Sequence, residues 1–552
     1  MKLKALKPRL HNAMFHTHTV AGIVISFALF VIFYAGAVAL FMDELYQWEN
    51  PEARIAFVDP NTVDYNKVLH IVEQNVPNFD KDKRFSMTPP TTTDPLITFY
   101  GSKKVDTLNK RFVGYINPST YAFSETEKGK THMASTIYHL HYFRQIPGIG
   151  IYLSGLIAFF FLFAVITGLL THWKNIVNKF YMFTTEGKWK QIWTNGHLSL
   201  GFITLPFQLI YAVTGSLLGL SIIILLPSAF LMFNGDTSEV IKAVSPNSAF
   251  TYEEDANPID GAASFNSAYH YVSSNYPDTK ILNIYTANYG KEDGTIGVRV
   301  DDHEGITADG NFTFSYKDGK LLDALAPKQK SYTSGTISVL IKLHYATFGG
   351  LFLKIIYFIL AMVTCYVIMS GVMIWRSARD NKKYTLKQRR FHHRVTKFYL
   401  SVTLSMFPAL ALIFLANILV PLEMVERITY VDTTFFLGWL LLTVIGLFWN
   451  KYDVLFKNFL LIGSIFGLMI PIANGTVTGD WLWNTLLKGQ YYVFSVDFAW
   501  LVASISGLVV YFYYLKDMEI EKILIKRPKM DKETSVEQEN LEPVFSSVKP
   551  VE

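Results

Sequence analysis

The sequence is poor in cysteine. Its 552 residues include one, Cys365, which lies within an apolar run. A single thiol cannot build an intramolecular disulfide, a zinc site of paired cysteines or an iron–sulfur cluster. Any redox cofactor must therefore be held by other ligands. The chain also lacks a Gly-x-Gly-x-x-Gly element between a strand and a helix, so we predict no flavin or nicotinamide domain.

Charge is scarce as well. Charged residues make up 17% of the chain and apolar residues 50%, whereas about a quarter of the residues of a soluble protein are charged. Long apolar runs explain the difference, because each has at least the roughly 18–20 residues that cross about 30 Å of hydrocarbon as a helix. Eight runs predict an all-α membrane bundle of about eight transmembrane helices: 19–42, 145–173, 197–235, 355–375, 398–422, 433–450, 458–479 and 498–515.

The distribution of lysine and arginine predicts the orientation. Basic residues cluster before the first run, in the loop 173–197, in the segment 376–397 and between 451 and 457. Cytoplasmic loops carry an excess of these residues. With eight alternating spans all four clusters fall on one side, so we expect both termini in the cytoplasm. The first run is too long for a cleaved signal peptide, and we expect it to be retained as a span.

Four histidines occupy matched positions in an internal repeat. In each copy, one histidine precedes a glycine by 18 residues and another precedes a second glycine by 27. The matched pairs are His18–Gly36 and His197–Gly215 for the shorter spacing, and His141–Gly168 and His344–Gly371 for the longer. The first four spans therefore read as two parallel repeats, each a helix, an outer segment and a helix. For the glycines alone, close helix packing is the simpler explanation, although a missing side chain would also admit a flat macrocycle.

The repeat makes the four histidines candidate ligands. Parallel repeats are related by a two-fold axis along the membrane normal, so equivalent imidazoles face each other across the bundle. His18 and His197 would then meet near the cytoplasmic face, and His141 and His344 near the outer face. Paired neutral imidazoles on opposite helices ligate b-type haem. We therefore predict two b-type haems with these four axial ligands.

Further residues are candidates at the same sites. His172 ends the second span and His393 precedes the fifth, so they are alternative ligands of the inner haem. Arg144 and Lys342, near the outer histidines, are candidates to pair with haem propionates. Interfacial snorkelling is the simpler explanation for either of these two residues alone.

Two polar segments, 43–140 and 236–336, leave the membrane on the outer side. Periodicity predicts a small α+β module in the second and a weaker version in the first. In the second, the elements are a helix at 258–276, strands at 280–286, 295–301 and 311–316, and a hairpin turn at 317–320. In the first, they are an amphipathic stretch at 64–76 and strand-like patches at 96–100 and 111–116. The last residues, 516–552, predict a short helix and a disordered tail.

These features divide the chain into seven segments. They are 1–42 (N-terminus and first span), 43–140 (first outer domain), 141–235 (second span, loop and third span), 236–336 (second outer domain), 337–397 (fourth span and basic loop), 398–515 (a four-helix extension) and 516–552 (cytoplasmic tail).

The same residues resemble the PepSY-associated transmembrane family, which includes bacterial iron-regulated membrane proteins and siderophore reductases. The resemblance covers roughly residues 10–380, and the 258–323 module looks like a PepSY domain. The matching motifs are His18 to Gly22, His197 to Gly201, Leu140-His141 to Gly148, Leu343-His344 to Gly349-Gly350, Thr167-Gly168, Thr214-Gly215, Trp173 and Trp375. The chain departs from the family pattern at Thr19-Val20, Ala35-Gly36 and Ser370-Gly371, and in its four extra spans.

The resemblance implies a protein of the bacterial inner membrane with PepSY-like outer domains. Its characterised reductase members carry two haems and reduce ferric siderophores on the periplasmic side. We therefore expect an oxidoreductase that takes electrons from a membrane quinol or a cytosolic reductase and reduces an outer ferric chelate. Membrane lipids are expected partners and nucleic acid is not.

Two other functions remain open from the sequence. A non-redox PepSY protein would bind a ligand or regulate a peptidase or another partner, and would carry no stoichiometric haem. A transporter is a third interpretation, because parallel repeats also build transporters. It predicts charges within the membrane, and the apolar runs contain almost none.

Overall fold

The chain, seen in a computed structural model, is mainly helical, and its described residues include an eight-stranded β-sheet. The structure describes residues 7–105, 108–126, 132–237, 239–240, 252–253, 256–261, 263–301, 309–327, 332–422 and 424–515. The helix and tail predicted over 516–552 lie outside the described residues.

Most of the described residues are in helices. These are α1 (Pro8–Ala39), α2 (Met42–Glu49), α3 (Tyr65–Asn75), α4 (Met133–His141), α5 (Gly150–Thr171), α6 (Ile176–Phe180), α7 (Trp189–Ile203), α8 (Leu205–Gly219), α9 (Ser221–Met232), α10 (Phe265–Asn275), α11 (Tyr332–Tyr345), α12 (Gly350–Arg379), α13 (Leu386–Leu419), α14 (Arg427–Phe448), α15 (Tyr452–Thr478), α16 (Leu482–Leu487) and α17 (Tyr491–Val509), which continues as a π-helical turn to Tyr514.

Within the described ranges, seven helices are long and apolar enough to cross a membrane: α1, α5, α12, α13, α14, α15 and α17 with its π-helical turn. The pair α7–α8 makes an eighth if it counts as one span, but it is bent by 70° around Thr204. Pro206 lies in the first turn of α8, and proline lacks the N–H that would continue the helical ladder. The run predicted as a third span, 197–235, is therefore not one straight helix. The chain is a multi-pass membrane protein.

The helices of the two predicted repeat units form one bundle. α1 packs against α4, α5 and α12, while α7 packs against α12 and α8 against α5. Aromatic rings fill the centre, where Phe33 lies between 5.4 and 6.4 Å from the rings of Phe161, Phe207 and Tyr211. Elements of both units therefore share one core.

The two outer segments also share one sheet. Its strands are β1 (Ser86–Thr88), β2 (Ile97–Val105), β3 (Leu108–Ile116), β4 (Phe123–Thr126), β5 (Lys280–Ala287), β6 (Thr295–Asp301), β7 (Asp309–Ser315) and β8 (Leu321–Leu325). The order is β4-β3-β2-β1-β5-β6-β7-β8, with every neighbouring pair antiparallel. β1 and β5 join the two halves, with Met87 opposite Ile284.

This continuous sheet corrects the prediction of two separate small domains. α3 and α10 pack side by side, and Tyr65 and Tyr269 bring their ring centres to 4.8 Å. Buried side chains from both segments, including Phe99 and Phe312, belong to one apolar cluster. Joining the two four-stranded halves therefore gives them one larger shared core.

The predicted outer elements are present with shifted limits. The strands expected at 280–286, 295–301 and 311–316 are β5, β6 and β7, and the stretch at 64–76 is α3. The helix expected over 258–276 starts later, at Phe265, because the Ser264 hydroxyl caps it by accepting from Ser267 N–H. The short strands β1 and β4 were missed, since three or four residues carry too little alternation to be recognised.

The four-helix extension starts earlier than predicted. α12 continues to Arg379, and α13 begins at Leu386 rather than near 398. A capping box fixes this start, because Gln388 N–H donates to the Thr385 hydroxyl while Thr385 N–H donates to the Gln388 side chain. The basic segment 376–397 is therefore mostly helical, with a loop only at 380–385.

A buried polar network ties the extension to the chain that follows α1. The Arg54 guanidinium donates to Asp480 at 2.8 Å, to Thr478 at 3.2 Å and to Asn474 at 3.3 Å. The Trp48 indole N–H donates to Asp497 at 2.7 Å. The extension is therefore joined to the segment that follows α1 by side chains far apart in sequence.

Candidate functional site

The four matched histidines form two facing pairs. The ring centres of His141 and His344 lie 5.9 Å apart, and those of His18 and His197 lie 6.1 Å apart. Two imidazoles that bind one metal from opposite sides place their ring centres about 6 Å apart, since each nitrogen–metal bond is about 2.0–2.1 Å. The spacing of both pairs therefore suits one shared metal at each level.

Each histidine is fixed through its Nδ1 atom. His18 donates to the Ala164 carbonyl at 2.8 Å, His141 to the Ile32 carbonyl at 2.7 Å and His197 to the Val367 carbonyl at 2.8 Å. The partner of the fourth, His344, is the Thr214 hydroxyl at 2.9 Å. A carbonyl only accepts, so Nδ1 carries the proton in the first three and Nε2 keeps an unprotonated lone pair. This is the tautomer that a metal ligand needs.

The matched glycines make room for these rings. A Cβ atom built on Gly36 would lie 2.5 Å from His141 Nδ1, and one on Gly168 would lie 2.9 Å from His18 Cε1. In the second unit, a Cβ on Gly371 would lie 3.2 Å from His197 Cε1, whereas one on Gly215 would lie 4.0 Å from His344 Cε1. Gly36, Gly168 and Gly371 therefore permit close packing of a helix against the imidazole of the other helix in the same unit, whereas the atom nearest to a Cβ on Gly215 is the Ala158 Cβ at 3.2 Å.

Two short helices present the outer pair. His141 ends α4 and His344 lies at the end of α11. Two residues beyond each histidine the backbone turns left-handed, with φ 57° at Phe143 and 53° at Ala346. Residues other than glycine seldom adopt this conformation, so the two histidine-bearing helices, α4 and α11, are followed by the same uncommon turn.

The two helices that carry His141 and His344 are anchored to different parts of the molecule. α4 begins against the extension and α2: Asp432 accepts from the Thr136 hydroxyl at 2.7 Å, and Glu49 accepts from Ala134 N–H at 3.0 Å. Burial raises the pKa of Glu49 to about 8, against the opposing effect of the bond from Ala134. α11 instead meets the outer sheet, where the Ser338 hydroxyl donates to Asp309 at 2.6 Å.

A cavity of about 530 Å³ lies beside the outer pair. Both histidines line it, together with Gly36, Phe33 and Tyr211. Cofactor pockets commonly enclose about 300–1,000 Å³ and are mainly apolar with few polar groups. The volume and the lining therefore suit a large flat cofactor.

Basic side chains line the same cavity. These are Arg144 and Lys354, and the Lys354 ammonium also lies 2.8 Å from Glu44. Lys342, the predicted propionate partner, is 5% exposed and its ammonium lies 2.6 Å from Asp301. Lys342 is thus paired to the outer sheet, and the lysine at the cavity is Lys354.

The sequence matches a known family of membrane proteins. The family described as the PepSY-associated TM region matches residues 15–378. The chain belongs to this family. No curated protein matches the sequence. The match includes all four histidines and ends before α13, so in this PepSY-associated protein the extension lies beyond the family region.

Each alternative ligand of this PepSY-associated protein contacts an aromatic side chain. His393 Nδ1 lies 2.6 Å from the Tyr452 hydroxyl, on the extension. The His172 ring packs against Phe202 at 6.4 Å. The two facing pairs consist of the four histidines that the repeat selected, and their role as ligands stays a prediction.

Sequence reasoning missed three residues beside the outer pair. Lys354, Tyr211 and Thr214 lie on transmembrane helices with no periodicity that marks them. Tyr211 packs its ring 5.0 Å from that of His344. Only the Thr214-Gly215 motif offered a signal, because Thr214 precedes a glycine of the repeat.

Proposed function

We propose that the chain is a dihaem electron carrier of the bacterial inner membrane that reduces an outer ferric chelate, such as a ferric siderophore. One observation carries the proposal: at each of two levels a pair of imidazoles faces across the bundle at about the separation of two axial ligands. With both termini in the cytoplasm, His18 and His197 form the inner site, and His141 and His344 the outer site.

The ligand count favours haem over a metal ion held by protein alone. Within the described residues, no three histidine, cysteine, aspartate or glutamate side chains converge into one group that could hold a metal ion. Structural zinc sites use four protein ligands and catalytic zinc sites three. A pair of imidazoles suits a metal whose other ligands come from a porphyrin.

The residues of the outer site have separate tasks. His141 and His344 would supply the axial nitrogens, and the apolar wall that includes Phe33 would exclude water. Arg144 and Lys354 would balance the negative charge of the propionates. Haem, when bound, accepts and releases one electron at its iron. The protein's part is to hold, orient and tune that group.

Reduction of the chelate needs no catalytic acid or nucleophile. One electron converts Fe(III) to Fe(II), and no covalent bond breaks. Fe(II) is the softer ion and binds hard oxygen ligands more weakly, so the chelate releases it. The electron would come from a membrane quinol or a cytosolic reductase, for which the basic segment 376–397 offers a docking surface. Anionic lipid headgroups are equally suitable partners for that segment.

The test is a dithionite-reduced minus oxidised absorption spectrum of detergent-purified protein, with haem quantified per chain. We expect b-type bands and two haems per chain. Protein that is produced with ample haem and contains none would overturn the proposal. A non-redox PepSY protein that binds a ligand or partner would then be the better interpretation.

A Gly36→Ala variant is expected to lose the outer haem and keep the inner one, so that about one haem per chain remains. The new methyl group would lie 2.5 Å from His141 Nδ1, so the ring must move and its bond to the Ile32 carbonyl must weaken. The same haem assay measures the loss.

Gly22→Ala is the matched control on the same helix. A Cβ at Gly22 meets nothing within 4 Å, and alanine is a better helix former than glycine. Two haems should therefore remain. Equal haem content in both variants would show that the space beside His141 is not needed.

A further inference from the structure

We propose that Thr214 sets the reduction potential of the outer haem above that of the inner haem, by giving His344 a weaker hydrogen-bond acceptor than the other three ligands have. The inference rests on the proposed function. In this proposal the Thr214 side chain determines that electrons flow from the inner site to the outer site.

The first observation is an asymmetry among the ligands. Both inner histidines donate from Nδ1 to backbone carbonyls, at 2.8 Å each. The outer pair is mixed, because His141 donates to the Ile32 carbonyl while His344 faces the Thr214 hydroxyl at 2.9 Å. Peptide resonance and the aligned helix dipoles make a carbonyl oxygen more negative than an alcohol oxygen.

The second observation fixes where the protons are. The Thr214 Oγ1 atom also lies 2.7 Å from the Ile210 carbonyl, which can only accept. The hydroxyl proton is therefore committed to Ile210, and Thr214 must accept from His344 Nδ1–H. His344 thus has the same tautomer as the other ligands but a different kind of partner.

The third observation comes from the repeat itself. Thr214 precedes Gly215, and the matching residue before Gly36 is Ala35, which has no hydroxyl. His141 accordingly reaches the Ile32 carbonyl, four residues before Gly36. The residue four positions before Gly215 is Tyr211. Its side-chain hydroxyl donates to the His344 carbonyl at 2.9 Å, while the partner of His344 Nδ1 is the Thr214 hydroxyl.

The inner site also has a hydroxyl residue directly before a glycine of the repeat, Ser370 before Gly371. Unlike the Thr214 hydroxyl, it is not the nearer partner of its histidine. The Ser370 Oγ atom lies 3.2 Å from His197 Nδ1, farther than the Val367 carbonyl at 2.8 Å. Ser370 itself donates to that carbonyl at 2.9 Å. A carbonyl is therefore the nearer acceptor at His197, whereas the hydroxyl is the acceptor at His344.

The difference has a chemical consequence. A strong acceptor at Nδ1 makes an imidazole more basic and stabilises Fe(III), which lowers the reduction potential. Two carbonyl-bound ligands should therefore give the inner haem the lower potential. One hydroxyl-bound ligand raises the potential of the outer haem, so electrons move downhill from the cytoplasmic side to the outer side.

The experiment is a potentiometric titration of the purified holoprotein, followed by its haem absorption bands. Wild type should titrate as two separate haems, and His141→Ala should retain only the lower-potential one. Thr214→Val removes the acceptor and nearly preserves the volume, so it should raise the higher midpoint potential and leave the lower one unchanged. Thr214→Cys should shift the same midpoint in the same direction, because sulfur is a weak acceptor.

Two control variants distinguish an effect on the reduction potential from an effect on side-chain packing. Thr214→Ser keeps the hydroxyl and should reproduce the wild-type potentials. Ser216→Ala removes a buried hydroxyl on the same helix that donates to the Ala212 carbonyl, and should change neither potential. The proposal is overturned if Thr214→Val and Thr214→Cys leave both midpoints unchanged, or if the haem surviving in His141→Ala is the higher-potential one. Absence of haem from wild-type protein would instead overturn the proposed function.

Discussion

His141→Ala is expected to leave one haem per chain instead of two, and to abolish reduction of an outer ferric chelate. The variant removes one axial ligand of the outer site and the hydrogen bond to Ile32. The inner pair, 6.1 Å apart between ring centres, is untouched. Haem quantification measures the first effect. Proteoliposomes with reductant inside and ferric chelate outside measure the second.

His139→Ala is the matched control for this variant. His139 lies on the same helix, two residues earlier, and its ring contacts Tyr142 at 5.9 Å rather than a second imidazole. The control should keep both haems and at least most of the activity. If His139→Ala loses a haem as well, α4 has been disturbed as a whole. If His141→Ala keeps two haems, His141 is not an axial ligand.

The pairing of the histidines could be predicted because it depends on a repeat. In a parallel repeat, equal spacings are expected to place equivalent residues at equal depth, and two-fold symmetry would then bring them together. His18 and His197 meet in the structure although 179 positions separate them in the sequence. No pattern in the sequence shows the Nδ1 partners, because they depend on the rotation of each helix about its own axis.

Other features could not be predicted because they arise from single long-range contacts. Closeness to His344 in sequence makes Lys342 a candidate partner of a haem propionate, with interfacial snorkelling as the simpler explanation, but in the structure its ammonium pairs with Asp301 on the sheet. The joining of the two outer segments depends on three-residue β1, which carries no recognisable alternation. The apolar runs predicted the spans well, except where Pro206 interrupts the helical ladder.

The contacts of the four-helix extension likewise could not be predicted from the sequence. Its four long helices follow the family region, and the sequence gives no role for them. In the structure, Asp432 of α14 contacts the first turn of α4, the helix that carries His141. Residues near Asp480 meanwhile enclose Arg54. These contacts indicate that the extension supports α4 and the segment that follows α1.

Arg54→Met tests that support and should lower the apparent melting temperature of the purified protein by several degrees. The Arg54 side chain is 4% exposed and donates to Asp480, Asn474 and Thr478 of the extension. The variant takes the guanidinium donor away from Asn474 and Thr478, and a buried polar group that loses its partner costs about 1–3 kcal/mol, whereas Asp480 keeps Lys488 as a charged partner. Desolvation alone would raise the pKa of Asp480, but hydrogen bonds from Arg54 and Lys488 hold it below its usual value.

Lys488→Met provides the comparison, because Lys488 pairs with the same carboxylate at 3.0 Å from an exposed position. Its side chain is 55% exposed, and exposed pairs contribute only about 0–1 kcal/mol. Scans at one fixed heating rate should therefore show a clear drop for Arg54→Met and almost none for Lys488→Met. Similar drops in both would mean that the charge of Asp480 matters rather than burial of Arg54. No drop in either would mean that the extension holds to the rest of the chain through its apolar contacts alone.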